Sequence, residues 1–490
     1  MKIQKVLIAN RAEIAIRIIR TCKAFDIKTV TLFTEEEKDL PQRYEADQSI
    51  YLGDGSLRDT YLNIDKIISV AKDTGCDAIH PGYGFLSENA DFARKVKASG
   101  LIFIGPSVES IILMGDKKGS KEKMIEVGIP TIPGYHGADQ TPLKLEAAAI
   151  EVGFPVLIKA SAGGGGKGMR VVYDQKSFQA ELESCKREAT NSFGSDIVLI
   201  EKFIENPRHI EVQVMSDNHG NHFHFFEREC SIQRRHQKII EETPSPALND
   251  TLRNSITKTA VQISSAINYS GAGTVEFILD GDKFYFLEMN TRLQVEHPIT
   301  EEVTGYDLVE LQLRAASNEK FNFSQDDIIQ TGHSLEVRIY AENPDDNFMP
   351  AIGQISKIGE PGYFTRLDTG YRDGSEITVN FDPMIAKVIV HGDTREESIE
   401  MMLESLADLP FFGFSTNRDY LTRILSHAKF ISGETFTHFV KTYESDLKKE
   451  VPSESEVACA IGAILLNDES LINNVHSNKS WDSLVGFRNI

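Results

Sequence analysis

Ala272-Gly273-Thr274-Val275-Glu276-Phe277-Ile278-Leu279-Asp280-Gly281-Asp282-Lys283-Phe284-Tyr285-Phe286-Leu287-Glu288-Met289-Asn290 is the stretch on which the fold turns. It reads as a β-hairpin around Asp280-Gly281-Asp282, because two strand-forming runs flank an Asp-Gly turn signal. Val275, Phe277 and Leu279 alternate to one face, as do Tyr285, Leu287 and Met289, giving a continuous apolar side. Glu276, Glu288 and Asn290 then fall on the opposite face. A three-residue turn, Gly281–Lys283, would set Glu276 directly across from Glu288, whereas a two-residue turn would slip them to opposite faces. Facing carboxylates repel, a cost that makes sense if a divalent cation lies between them. Oxygen-only ligands point to Mg²⁺ or Mn²⁺ bridging phosphates. The plainer alternative is a solvated strand face.

Working outward, period two continues through Arg292, Gln294 and Glu296 until His297-Pro298 ends the run. A guanidinium, an amide and a carboxylate on one side suit a small planar anion and supply a base. A charge-alternating edge strand would look the same. Upstream, Lys159-Ala160-Ser161-Ala162-Gly163-Gly164-Gly165-Gly166-Lys167-Gly168-Met169 places four glycines between two lysines. Glycines let backbone N–H groups turn inward around anionic oxygens, which reads as a phosphate flap rather than a floppy hairpin tip. It is no P-loop, since GK[ST] is missing and a strand follows. Arg208-His209 and Cys230-Ser231-Ile232-Gln233-Arg234-Arg235-His236-Gln237-Lys238 add a cationic cluster, with Cys230 read as a packed thiol rather than half of a Cys–His dyad.

The 490 residues allow several domains. Lys and Arg number 52 against 73 Asp and Glu, a net charge of −21 with pI near 5.1. That balance argues against nucleic acid or anionic membrane as partner, so an anionic substrate needs a local basic pocket. No apolar run is long enough for a membrane span. Met1–Arg11 does not resemble a signal or transit peptide, so the expected location is cytoplasmic, of bacterial type. Five scattered cysteines without a CxxC pair suit a reducing compartment.

Lys5–Asn10, Glu13–Phe25 and Lys28–Phe33 read strand–helix–strand, and Asp77–His80, Ser87–Ser99 (capped by Ser87) and Leu101–Gly105 repeat it. The first ~110 residues are therefore a parallel α/β domain. Pro155–Ala160 and Met169–Tyr173 are strands around the flap, followed by a helix, Ser177–Asn191, and a strand, Asp196–Phe203. Further β runs and a helix at Thr251–Asn268 extend a mixed domain to about residue 445.

Ile8-Ala9-Asn10-Arg11, His80-Pro81-Gly82-Tyr83-Gly84-Phe85-Leu86-Ser87-Glu88-Asn89, Met114-Gly115-Asp116-Lys117, the glycine flap, Arg234–Lys238 and Glu288–Pro298 together resemble biotin carboxylase, an ATP-grasp enzyme. The resemblance covers residues 1 to about 445. Ala12, where the family commonly has glycine, slightly tightens its turn. The resemblance implies an α/β and α+β fold: an N-terminal parallel α/β domain (1–113), an ATP-grasp domain (114–334) with a mobile lid at about 130–203, a C-terminal mixed β domain (335–446) and a tail (447–490). It also implies that ATP is contacted by Lys117, Lys159, Gly164, Gly165, Gly166, Glu201, Lys202, Ile204, His209, Gln233, His236, Ile278 and Glu288. Two Mg²⁺ or Mn²⁺ ions would sit on Glu276, Glu288 and Asn290. Bicarbonate and biotin would meet Lys238, Arg292, Gln294, Val295, Glu296, Arg338 and Tyr83, with Glu296 as base and Arg338 stabilising the biotin enolate.

Gly134-Tyr135-His136-Gly137, Asp139-Gln140 and Asn347-Phe348-Met349-Pro350 look most like the 3-methylcrotonyl-CoA type of α subunit. Acetyl-CoA, propionyl-CoA and pyruvate carboxylases, other ATP-grasp ligases and a catalytically silent ATP-binding module are the alternatives. No Ala-Met-Lys-Met-type site occurs, so biotin is expected on a carrier domain or protein, with a carboxyltransferase subunit as further partner and a homo-oligomer or larger complex as the assembly. A helix at Glu456–Leu466, Trp481 and Phe487 are expected to serve that assembly.

Overall fold

The computed structural model describes residues 3–160, 169–193, 195–235 and 237–449, with Ser455, Ala458, Cys459 and Gly462 beyond them. The chain divides into two compact units, Met1–Glu444 and Ser445–Ile490. The glycine loop 161–168, His236, Trp481, Phe487 and most of the expected helix 456–466 lie outside the described residues. The elements that follow all belong to the first unit.

Five parallel strands open it, in the order Gln48–Tyr51, Lys28–Phe33, Lys5–Ile8, Ala78–His80, Ile102–Phe103. The β-branched and apolar runs of the three central strands are buried on both faces, as parallel strands flanked by helices require, while the edge strand Gln48–Tyr51 is partly exposed. Lys5–Ile8 is the strand at which chain order reverses, and ligands of such sheets gather beyond the carboxyl ends there. Asn10, Arg11 and Glu13 follow that strand, while Tyr83 follows Ala78–His80; Asn10 Nδ2 ties the two turns together by donating to the carbonyls of Pro81 (2.8 Å) and Tyr83 (2.7 Å). The helix expected at Ser87–Ser99 is shorter than that. It spans Ala90–Ala98, and its cap is Asn89, which accepts from the Phe92 N–H, rather than Ser87.

Ala12 starts the helix Ala12–Ala24 at φ +51°, a left-handed conformation that costs an L residue about 1–2 kcal/mol. The turn is more than tightened; it is strained. Gly370 packs so closely against it that a Cβ there would lie 2.1 Å from the Ala12 carbonyl carbon. Gly370→Ala is therefore expected to destabilise the protein by about 1–3 kcal/mol. Urea or thermal unfolding reads this directly, and a wild-type midpoint would contradict the packing.

Eight antiparallel strands form the second sheet, in the order Lys283–Asn290, Gly271–Asp280, Arg208–Ser216, His222–Arg234, Gln237–Thr243, His333–Tyr340, Met384–Gly392, Thr365–Thr369. It runs unbroken past residue 335, because Gln237–Thr243 pairs with His333–Tyr340. A separate four-stranded sheet, Gly134–Tyr135, Val198–Lys202, Val156–Ala160 and Met169–Val172, carries the helices Pro142–Val152 and Gln175–Phe193. Leu145, Val156, Ile158, Phe178, Leu182 and Ile200 give that subdomain a core of its own. A body with its own core can move as a lid.

The hairpin settles its register in an unexpected way. Asp280 pairs with Lys283, so the turn has two residues, Gly281 (φ +57°) and Asp282. Two residues alone would have separated the carboxylates. A β-bulge at Leu287 restores them, and Glu276 pairs directly with Glu288. An extra residue shifts the phase of one strand, so Phe284 and Phe286 join Met289 on the core side while Leu287 is exposed. The expected alternation Tyr285, Leu287, Met289 is thereby corrected.

Candidate active site

Lys238 is the centre of the site. It lies next to the sharp turn at Arg235 (φ +50°) and points from the strand Gln237–Thr243 into a buried carboxylate cluster. Its ammonium lies 2.5 Å from Glu211, 3.0 Å from Glu276 and 2.7 Å from Glu296. Burial alone would lower its pKa, but these three charges hold it well above the usual lysine value. Glu296 is shared with Arg338, whose Nη2 lies 3.0 Å from its second oxygen and 2.5 Å from Glu241. Burial pushes Glu296 up, yet Lys238, Arg338 and Arg228 outweigh it and keep the carboxyl well below its ordinary range. Glu296 is thus an ionised group, 2% exposed, held between two cations.

Arg292, Gln294 and Glu296 do not extend the strand. Lys283–Asn290 ends at Asn290, and residues 291–296 form a loop leading into the helix His297–Thr304. The polar alternation expected there belongs to a loop pinned by side chains. Glu88 accepts from the Thr291 N–H (3.0 Å) and from Arg292 Nε (2.9 Å), and Arg292 Nη2 donates to Asn290 Oδ1 (3.0 Å). Gln294 Nε2 donates to Glu276 Oε1 at 2.8 Å.

Glu276 also accepts from Asn290 Nδ2 (2.8 Å) and lies 3.0 Å from His209 Nε2. Despite burial, Lys238 and His209 hold its pKa low. Glu288 behaves oppositely: burial and then the charge of Glu276 raise it. Among the described residues its ion-pair partner is Lys117, whose Nζ is 4.0 Å away and exposed. Two facing carboxylates with an amide oxygen beside them, one carboxylate incompletely neutralised, fit a hard divalent cation.

Toward the lid, Glu201 pairs with Lys159 and with Lys121 (3.0 Å), and His136 lies 3.6 Å off. Gln233 Nε2 stands 2.9 Å from His209 Nδ1, and Ile278 shares the strand face of Glu276. Lys202 does not present a free ammonium, because it donates to the carbonyls of Gly153 (2.9 Å) and Phe154 (3.1 Å). Ile204 is buried nearby in sequence, and Gly164–Gly166 and His236 lie outside the described residues. Next to Glu296 in sequence, Val295 lines a pocket of about 380 Å³ together with Tyr83, Arg292, Arg338, Phe381 and Asp382, among others.

Sequence models match the chain in three consecutive blocks: biotin carboxylase N-terminal domain (2–111), carbamoyl-phosphate synthase L chain ATP-binding domain (116–323) and biotin carboxylase C-terminal domain (336–442). Biotin carboxylase 1 of Bacillus subtilis is 46% identical, over 90% of this chain and 99% of its own. The chain belongs to the biotin carboxylase family. The mitochondrial methylcrotonoyl-CoA carboxylase subunit alpha of Dictyostelium discoideum is 47% identical, over 99% of this chain and 70% of that subunit. The chain spans about two thirds of the length of such subunits. The biotin carboxylase domain dimer of Hydrogenobacter thermophilus 2-oxoglutarate carboxylase, solved with MgADP, ADP and bicarbonate, superposes with a TM-score of 0.83 at 42% identity, covering 92% of this chain and all of that one.

This biotin carboxylase is accordingly an ATP-dependent ligase, and among its described residues no helix is long and apolar enough to cross a membrane. Three site residues escaped the sequence. Arg228 is fully buried and donates to Glu211, Gln213, Thr300, Thr274 and Gln294. By gripping Gln294 Oε1 at 2.8 Å it leaves the Gln294 amide nitrogen for Glu276. Glu211 anchors both Arg228 and Lys238, and Glu241, raised to about 7 by burial against the pull of Arg338, backs the arginine. The available signal was charge inside strands otherwise apolar enough to be buried. Cys230 is a packed thiol whose pKa burial pushes well above normal, and His236, the other half of the alternative dyad, lies outside the described residues.

Proposed function

We propose that this chain carboxylates biotin borne on a carrier domain or protein, using ATP and bicarbonate, as the first half-reaction of an acyl-CoA carboxylase of the 3-methylcrotonyl-CoA type. One observation carries the reading: Lys238 and Arg338 flank the ionised Glu296, and Arg338 also lines, with Arg292 and Tyr83, the neighbouring pocket. Lys238, Arg292, Gln294 and Val295 hold bicarbonate, and Glu296 takes its proton so that an oxygen attacks the γ-phosphate with ADP leaving. The carboxyphosphate formed splits into CO₂ and phosphate, phosphate accepts a ureido proton, and the nitrogen attacks CO₂. Arg338 balances the enolate charge that develops on biotin. The nucleotide lies against the lid residues and the His209–Gln233 face named above. Mg²⁺ or Mn²⁺ on Glu276, Glu288 and Asn290 would neutralise phosphate charge when bound.

Lys238, the first of the cations that depress Glu296, is also one that grips the substrate anion. Once shared with bicarbonate it attracts Glu296 less, which makes the carboxylate a stronger base at the moment it is needed. The acyl-CoA type is supported by the methylcrotonoyl-CoA carboxylase relatives, and the carboxyltransferase partner and higher assembly follow from that reading. Five free cysteines fit a reducing, cytoplasmic setting. Bicarbonate-dependent ATP hydrolysis should be stimulated by free biotin. ATP binding without turnover would overturn the assignment in favour of a silent module.

A further inference from the structure

Lys387 is fully buried in the strand Met384–Gly392, beneath the pocket. Its ammonium pairs with Glu13 and donates to the Val295 carbonyl at 2.8 Å. Glu13 lies in the first turn of Ala12–Ala24, and its other oxygen accepts from the Tyr83 hydroxyl at 2.7 Å. Asp368 adds negative charge around the lysine, and Arg338 is its neighbour across the strand. An apolar side chain of equal volume would fill this space without the cost of desolvating two charges. What the charges do instead is join the first helix, the loop after His80 and the loop before Glu296.

We propose that the Glu13–Lys387 pair positions both halves of the reactive pocket: Glu13 turns the Tyr83 hydroxyl into an acceptor toward the ligand, and Lys387 pins the peptide that leads into Glu296. This rests on the functional reading above and specifies how the ureido ring is recognised. A carboxylate paired with an ammonium can only accept, so the Tyr83 O–H points at Glu13 and its lone pairs face the pocket. Arg338, also lining the pocket, offers only donors. A ligand satisfying both presents one N–H and one carbonyl or enolate oxygen, as a cyclic urea does. The Val295 carbonyl belongs to the peptide bonded to Glu296, so holding it fixes the base where the helix His297–Thr304 begins.

Glu13→Gln in the full chain is the sharpest test, because volume is kept and the amide oxygen still accepts from Lys387. The amide nitrogen then faces Tyr83, and the hydroxyl must reverse. The KM for free biotin is expected to rise roughly tenfold, with biotin-independent, bicarbonate-dependent ATP hydrolysis kept within about twofold. Lys387→Met is expected to lower kcat of both reactions about tenfold or more, with the ATP KM unchanged. A merely structural role would lower the melting temperature and leave the biotin KM alone. If Lys387→Met does not fold, Glu13→Gln decides by itself. Wild-type biotin kinetics in Glu13→Gln overturn the positioning role. Absence of any biotin response in the wild-type protein overturns the functional reading instead.

Discussion

Replacing Glu296 by alanine is expected to lower kcat on the order of 10²–10⁴-fold while leaving the ATP KM within about threefold. The carboxylate is buried between Lys238 at 2.7 Å and Arg338 at 3.0 Å, so its loss removes a proton acceptor from the place where bicarbonate would lie. The fold should survive, because neither cation is left alone. Lys238 keeps Glu211 and Glu276, and Arg338 keeps Glu241. ATP affinity should be nearly indifferent, since Lys238 intervenes between Glu296 and the Glu276–Glu288 face. Steady-state kinetics with ATP and bicarbonate varied separately check this. An unchanged kcat with a raised ATP KM would make Glu296 a nucleotide contact and remove the base from the mechanism.

The parts of this molecule that were legible in the sequence are those in which one physical signal dominates. Lys28–Phe33 was bounded correctly because its β-branched run is interrupted at both ends. The Glu276–Glu288 juxtaposition was foreseen, but by way of a three-residue turn, whereas the chain reaches it with a two-residue turn and a bulge at Leu287. A bulge made from an ordinary leucine leaves no compositional trace, since only the partner strand reveals that two residues oppose one. Residues 291–296 were misjudged for a related reason. Alternating polarity measures which side chains face a common environment, and a loop pinned to Glu88 produces it as readily as a strand. Arg228 and Glu211 went unremarked because a charged residue in an apolar strand is equally consistent with an exposed edge. Only their pairing at 2.6 Å, in a fully buried position, shows that the charge is internal.

Glu288→Gln is expected to move activity and stability in opposite directions. Glu276 and Glu288 face each other across the bulged hairpin, and the charge of Glu276, together with burial, raises the Glu288 pKa. Removing one of two like charges in direct cross-strand register should stabilise the metal-free protein by up to about 1 kcal/mol. The amide keeps the side chain's size, so the apolar face formed by Val275, Phe277, Phe286 and Met289 is undisturbed. Turnover should nonetheless fall by on the order of 10²-fold or more, because a neutral amide is a poor ligand for a hard divalent cation and leaves phosphate charge uncompensated. Unfolding in a chelating buffer and ATP hydrolysis in saturating Mg²⁺ supply the two readouts on the same preparation. A residue kept only for packing would lose stability and activity together, and a solvated surface carboxylate would change neither. Higher stability with lost turnover is the pattern of a group retained against its own electrostatic cost. Wild-type hydrolysis by this variant would take the metal off the hairpin face.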